Sequence, residues 1–141
     1  MACLLVAAVS NESHAVDAMG RLLLFVSVSR MTDGQPVTGL GLDNFRIASS
    51  VGSVLDPKPV AVAEVEWEPG TGEPSGCYRI SLDRGRSEYD RSGQAPAWIP
   101  GEFYAFGLQV RVFETHNLDG QLVEVPVDFG QTVVQLISLG T

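Results

Sequence analysis

Lysine is nearly missing from this chain. Of nine basic residues only Lys58 is not an arginine, and no functional claim is drawn from that bias. Seventeen aspartates and glutamates oppose those nine, giving a formal net charge of -8 at neutral pH. The imbalance is spread evenly, with 4 basic and 8 acidic residues in 1–70 against 5 and 9 in 71–141. A chain so poor in positive charge is repelled by nucleic-acid phosphates and anionic lipid surfaces, and nucleic acid is excluded as the expected partner. Solubility is the plain consequence of the charge. No apolar run approaches the roughly 18 residues of a membrane helix, which excludes membrane insertion by that route.

Histidine and cysteine are equally scarce. Nucleophilic catalysis needs a base within reach of a serine or cysteine, and His14 and His116 are the only histidines. His14 falls in a polar connection and His116 in a turn, next to Asn117, and there is no G-x-S-x-G elbow. No catalytic residue is expected, and the chain is read as a non-enzyme. The two cysteines, Cys3 and Cys77, form no C-x-x-C pair, so a zinc ribbon or thioredoxin-like site has no support. One bridge between them is conceivable. Each lies at the start of an expected strand, where a buried free thiol is equally natural, and free thiols are the favoured reading.

Metal motifs of the H-E-x-x-H and D-x-D-x-D-G kind are absent, so no metal ligands and no cofactor are assigned. Turn aspartates Asp33, Asp43, Asp83 and Asp119 could meet at one end of the domain and hold calcium, although isolated turn aspartates are commoner. Gly39-Leu40-Gly41-Leu42 enters a strand rather than a helix, which leaves nucleotide binding with little support.

What the sequence does contain is alternation. The 141 residues, 45% of them hydrophobic, suffice for one domain with a real core, taken as 1–141. Short period-two apolar runs separated by turn residues recur from end to end, the signature of strands with one face in a core. The start, 2–9, lacks the basic region of a signal peptide, since the first arginine is Arg21; it is read as a strand, at an edge or buried on both sides, and the cytoplasm is favoured. The connection 11–20 could hold one helical turn. Leu22, Leu24, Val26 and Val28 share one face of the next strand. A turn at Thr32-Asp33-Gly34 and an irregular crossing over 36–42 lead to a short strand burying Phe45 and Ile47.

In the strand over 60–68, Ala61, Ala63, Val65 and Trp67 face one way, and Glu64, Glu66 and Glu68 the other. That assigns Trp67 to the core. Tyr78, Ile80 and Leu82 point inward from the strand that follows. The longest strand, 101–114, meets a hairpin turn at Asp119-Gly120. Pro126 puts the strand over 122–129 at an edge or at a bulge. A last strand closes the chain. The expected fold is all-β: a single antiparallel, immunoglobulin-like β-sandwich of seven or eight strands.

Three stretches carry a resemblance. Leu24 to Val28 is followed by Asp33-Gly34-Gln35-Pro36-Val37-Thr38-Gly39-Leu40, then by Leu42-Asp43-Asn44-Phe45-Arg46-Ile47. Trp98-Ile99-Pro100-Gly101-Glu102-Phe103-Tyr104 leads into an alternating strand. Together they resemble the bacterial immunoglobulin-like and macroglobulin-like β-sandwich group, over about 21–139. No cysteine pair joins the second and penultimate long strands. The glycine-to-tyrosine spacing is one residue longer than the pattern, so Phe103 and Tyr104 compete for the corner role, and alternation places Tyr104 inward with Phe106, Leu108 and Val110. The resemblance implies binding, spacing or assembly roles, by analogy of fold.

Long loops on rigid sandwiches are where binding residues often sit. Arg84, Arg86 and Arg91 place three of nine basic residues within eight positions, beside Asp83, Glu88 and Asp90. Mixed signs describe a solvated, self-paired loop; the functional alternative is a contact loop of Arg84, Arg86, Tyr89, Arg91 and Trp98, residue types that anchor interfaces. Trp98 could equally cap the core. The leading expectation is a non-catalytic module that binds a protein partner or self-assembles, including as a homo-oligomer or as a subunit of a larger particle. Its apolar terminal segments, 2–9 and 133–139, could each offer an open sheet edge. The alternative is a carbohydrate- or calcium-binding module using loops at one end of the sandwich.

Overall fold

A computed structural model describes residues 2–10, 21–51, 57–83 and 103–137. The protein is all-β. Among the described residues seven strands follow in chain order: β1 (Ala2–Ser10), β2 (Leu22–Arg30), β3 (Phe45–Val51), β4 (Lys58–Glu66), β5 (Pro74–Asp83), β6 (Phe103–Leu118) and β7 (Gln121–Ile137). A single turn of 3-10 helix over Leu42–Asn44 precedes β3. The strands form one sheet in the order β3-β6-β7-β1-β2-β5-β4. The sheet curls strongly, bringing its two terminal strands, β3 and β4, back into contact along a seam.

The core follows from alternation. Leu22, Leu24, Val26 and Val28 on β2, Tyr78, Ile80 and Leu82 on β5, and Phe106, Leu108 and Val110 on β6 are all buried. These are the inward faces that the period-two pattern predicts, built from branched and aromatic side chains that pack well on a pleated surface. Phe45 is buried, and Ile47 is half-buried against the same cluster. The side chain of Tyr104 lies outside the described residues.

Two expectations of the sandwich reading are corrected. The pairing is mixed rather than wholly antiparallel, because β1 and β7 run parallel, with Ala2 opposite Asp128 and Cys3 opposite Phe129. β1 is therefore an interior strand of the order, neither at an edge nor covered on both faces. Leu4 and Val6 are buried, whereas Cys3, Leu5, Ala7 and Val9 are exposed. The run 2–9 is uniformly apolar, so its two faces could not be told apart by composition. Cys3 and Cys77 are free, as favoured, but exposed rather than buried.

The faces of β4 are also reversed. Val62 packs against the core, while Ala61 and Ala63 are exposed and Trp67, just beyond the strand, is 70% exposed. Register irregularities between Pro59 and Ala61 and between Glu64 and Glu66 interrupt the simple alternation. Glu64 is half-buried because its carboxylate is used structurally, accepting the backbone N–H of Gly39 at 2.8 Å and of Gly76 at 3.0 Å.

The β1–β7 junction depends on Gly130. A side-chain carbon there would lie 2.6 Å from the Leu4 carbonyl oxygen, 2.8 Å from Leu4 Cβ and 2.9 Å from Val6 Cγ2. Only a residue without Cβ lets the two backbones approach so closely. Gly130→Ala is expected to cost about 1–3 kcal/mol by overpacking, read as a lower urea midpoint with unchanged slope. Gly41→Ala, where an added carbon meets nothing within 4 Å, should change stability by less than about 0.5 kcal/mol.

Candidate functional site

Two features stand out from the curled body: an arm that leaves it and a strap that closes its seam. The arm is the far half of the β6–β7 hairpin. β6 and β7 are 16 and 17 residues long, about three times the common strand length. Their other neighbours stop early. β3 pairs with β6 only as far as Val110, and β1 meets β7 only at Asp128 and Phe129. Beyond that point, among the described residues, β6 and β7 pair only with each other, from Phe113 opposite Pro126 to Leu118 opposite Gln121. This two-stranded ribbon, residues 113–126, projects about 20 Å at the usual rise per residue.

Local chemistry explains both ends of the arm. At the tip, Asp119 and Gly120 take positive φ values of 52° and 87°, the pair that a two-residue type I′ turn requires. The Asn117 side-chain oxygen accepts the Gly120 N–H at 3.0 Å. At the base, the register shifts where Val112 faces Asp128 and Phe113 faces Pro126. Val127 is the extra residue, so Pro126 sits at a bulge, one of the two placements its missing N–H allows. The bulge reverses the parity of β7, which puts Val123 and Val125 on the same face as His116 and Glu114.

All residues from 114 to 124 are exposed. They include Leu118 at 57% and Leu122 at 76%, on opposite faces of the tip, and Val123. His116 lies within β6 rather than in a turn, its Nε2 3.2 Å from Glu114 Oε2. A lone two-stranded ribbon is marginal in water, and among the described residues neither of its outer edges has a strand partner. The signal for this arm was present in the sequence: two long alternating runs joined by Asp-Gly, with leucines flanking the turn.

A second exposed apolar area lies on the outward face of the sheet. Leu5 and Val9 of β1 and Phe25 of β2 are exposed there, and Val9 and Phe25 line a shallow hollow of about 200 Å³ together with Ala7, Ser27 and Cys77. Arg79 stacks over the Phe25 ring at 5.8 Å from its centroid.

The strap is the crossing over residues 36–41. Val37 is buried and its N–H donates to Val28 O at 2.9 Å. The buried Tyr78 hydroxyl donates to Val37 O at 2.6 Å and accepts the Leu40 N–H at 3.3 Å, and its ring meets Phe45 edge-on at 5.4 Å. Burial pushes the Tyr78 phenol up from 10.0 to about 12; the Leu40 N–H pulls the other way, and the charges of Glu64 and Cys77 add to the rise. One phenol thus fixes the path by which the chain reaches β3.

The contact-loop residues Arg84, Arg86, Tyr89, Arg91 and Trp98 lie outside the described residues, as does His14. The suggested meeting of turn aspartates is not what the described residues show, for no three acidic, His or Cys side chains gather among them as a metal would need. Asp83 instead pairs with Arg21 at 3.3 Å, Asp33 accepts the Gln35 N–H at 3.0 Å, and Asp119 sits at the arm tip. Among the described residues no helix is long and apolar enough to cross a membrane. Comparison of the chain with protein-family models, curated proteins and solved structures finds no match.

Tyr78→Phe removes a donor from Val37 O and an acceptor from Leu40 N, and should cost about 1–3 kcal/mol at neutral pH. Because the folded phenol has the higher pKa, its contribution is complete below the ordinary value of 10.0 and is lost as pH climbs through about 12. Urea titrations from about pH 9 to about pH 12 should therefore show the gap between wild type and variant narrowing. A constant gap would contradict the hydroxyl's role.

Proposed function

We propose that this protein is a non-catalytic interaction module that uses the β6–β7 arm to engage a protein partner or another copy of itself. The observation that carries this reading is the arm: a ribbon projecting beyond the other described strands, apolar at its tip and, among the described residues, open along both edges. Open strand edges bind by adding a strand, with main-chain hydrogen bonds supplying affinity and side chains at alternate positions supplying specificity. Docking would supply the third strand that the ribbon lacks. The exposed apolar face around Val9 and Phe25 offers further area for such contacts.

The relation to the immunoglobulin-like and macroglobulin-like group remains a proposal resting on the segments quoted above. It agrees with a binding or assembly role, and the mixed strand order lends it no support. The loop carrying Arg84, Arg86, Tyr89, Arg91 and Trp98 is proposed as a second contact element on its composition alone. The first strand does not offer the open edge expected of it, because β1 lies inside the sheet order between β7 and β2. The arm takes over that role.

Light scattering over a concentration series, combined with capture of bound proteins, tests the arm. The variant Leu118→Ser, Leu122→Ser, Val123→Thr touches only exposed positions and should melt within a few degrees of wild type. It is expected to lose about tenfold or more in self-association or partner capture, in line with the loss of central apolar anchors. Identical masses and identical captured proteins for wild type and variant would overturn the proposal.

A further inference from the structure

The seam between β3 and β4 holds a cleft of about 430 Å³, lined by Asp43, Arg46, Lys58 and Arg111 with Phe45 and Pro59 among its apolar walls. Three of the nine basic residues of a chain with net charge -8 meet there. They come from three different strands: Arg46 from β3, Lys58 from β4 and Arg111 from β6. Strand geometry adds to the concentration of charge. Arg46 is in register with Gln109, so Arg111 is its diagonal neighbour on the same outward face. Like charges so placed across strands repel and cost stability unless something neutralises them.

Lys58 has interactions of its own, so the charge left over at the cleft is that of the two arginines. Among the described residues, neither Arg46 nor Arg111 forms an ion pair with a carboxylate, although Asp43 lines the same cleft. The Arg111 guanidinium lies over the Phe113 ring, 5.2 Å from its centroid, and its Nε is buried with no hydrogen-bond acceptor. A buried donor of this kind calls for an explanation, an ion being one. Stacking on Phe113 holds the planar group in place, as a preformed binding site requires. The Asn44 side chain secures the same point of β6 by donating to Arg111 O at 2.7 Å.

From this convergence we propose that the seam cleft binds a small oxyanion, a ligand bearing phosphate or carboxylate, through Arg46 and Arg111 with Lys58 at the rim. Guanidinium groups match the fork geometry of both oxyanions, and the cleft falls in the size range of small-molecule sites. The acidity of the rest of the chain opposes a polyanion such as nucleic acid and leaves a compact anion as the ligand that fits. The site is separate from the arm tip, and neither proposal depends on the other.

Calorimetric titration of the full chain with inorganic phosphate and with succinate, against chloride at matched ionic strength, tests the site. Expected is saturable one-to-one binding of at least one of the two, weakened about tenfold or more in both Arg46→Gln and Arg111→Gln. Arg79→Gln, which alters the arginine over Phe25, should leave the affinity unchanged. Binding of phosphate alone assigns a phosphorylated ligand, and binding of succinate alone a carboxylate; either supports the site. Arg46 is exposed on a terminal strand, so its replacement gives a decisive reading even where Arg111→Gln fails to fold. A response no different from chloride, or saturable binding that survives Arg46→Gln unchanged, overturns the proposal.

Discussion

The close approach of β1 to β7 at Gly130 is the constraint on which the rest of the architecture rests. On one side of that contact stand β7, β6 and β3; on the other stand β1, β2, β5 and β4. Within each half the ladders are antiparallel, and among the described residues the parallel contact between β1 and β7 is the only ladder that joins them. The halves must also press their apolar faces together, since Leu4 and Val6 belong to the same core as Phe106, Leu108 and Val110. A side chain at position 130 would hold the backbones apart and open that core to water.

Curling of the sheet around this junction has two results. It brings β3 and β4 together at a seam, and the strap over 36–41, held by the Tyr78 hydroxyl of β5 and the Glu64 carboxylate of the adjacent β4, carries the chain across to β3. Both are polar groups placed at or near the core, and both are satisfied by backbone partners, as burial demands. The same curl leaves the far half of the β6–β7 hairpin, residues 113–126, without other strand neighbours among the described residues. The arm and the cationic cleft are thus consequences of one topology: strands of unequal length wrapped around a single core, with charge collected where the wrapping does not close.

Much of this was legible along the chain. The inward faces of β2, β5 and β6 follow from alternation because each has one buried and one wet side, which imposes period two on the residues. The Asp119-Gly120 turn and the bulge at Pro126 follow from backbone rules that act locally. Trp67 shows where local rules give out. Its face depends on register irregularities in β4 and on the use of Glu64 as an acceptor for Gly39 and Gly76, residues 25 and 12 positions away. Leu5 and Val9 mark the same limit, since an all-apolar run carries no record of which side is covered. The charge pattern singled out Arg84, Arg86 and Arg91 by closeness in sequence, whereas Arg46, Lys58 and Arg111 are scattered and meet only in space.

The sequence by itself determined the class of the protein, its strands, most of their inward residues and its main hairpin. Those properties depend on intrinsic backbone preferences and on the periodicity that a half-buried strand imposes. Tertiary structure alone decided the strand order, the parallel junction at Gly130, the projection of the arm and the convergence of Arg46 with Arg111. These depend on which strands come to lie side by side, and that choice is made by the packing of the whole core rather than by any segment taken alone.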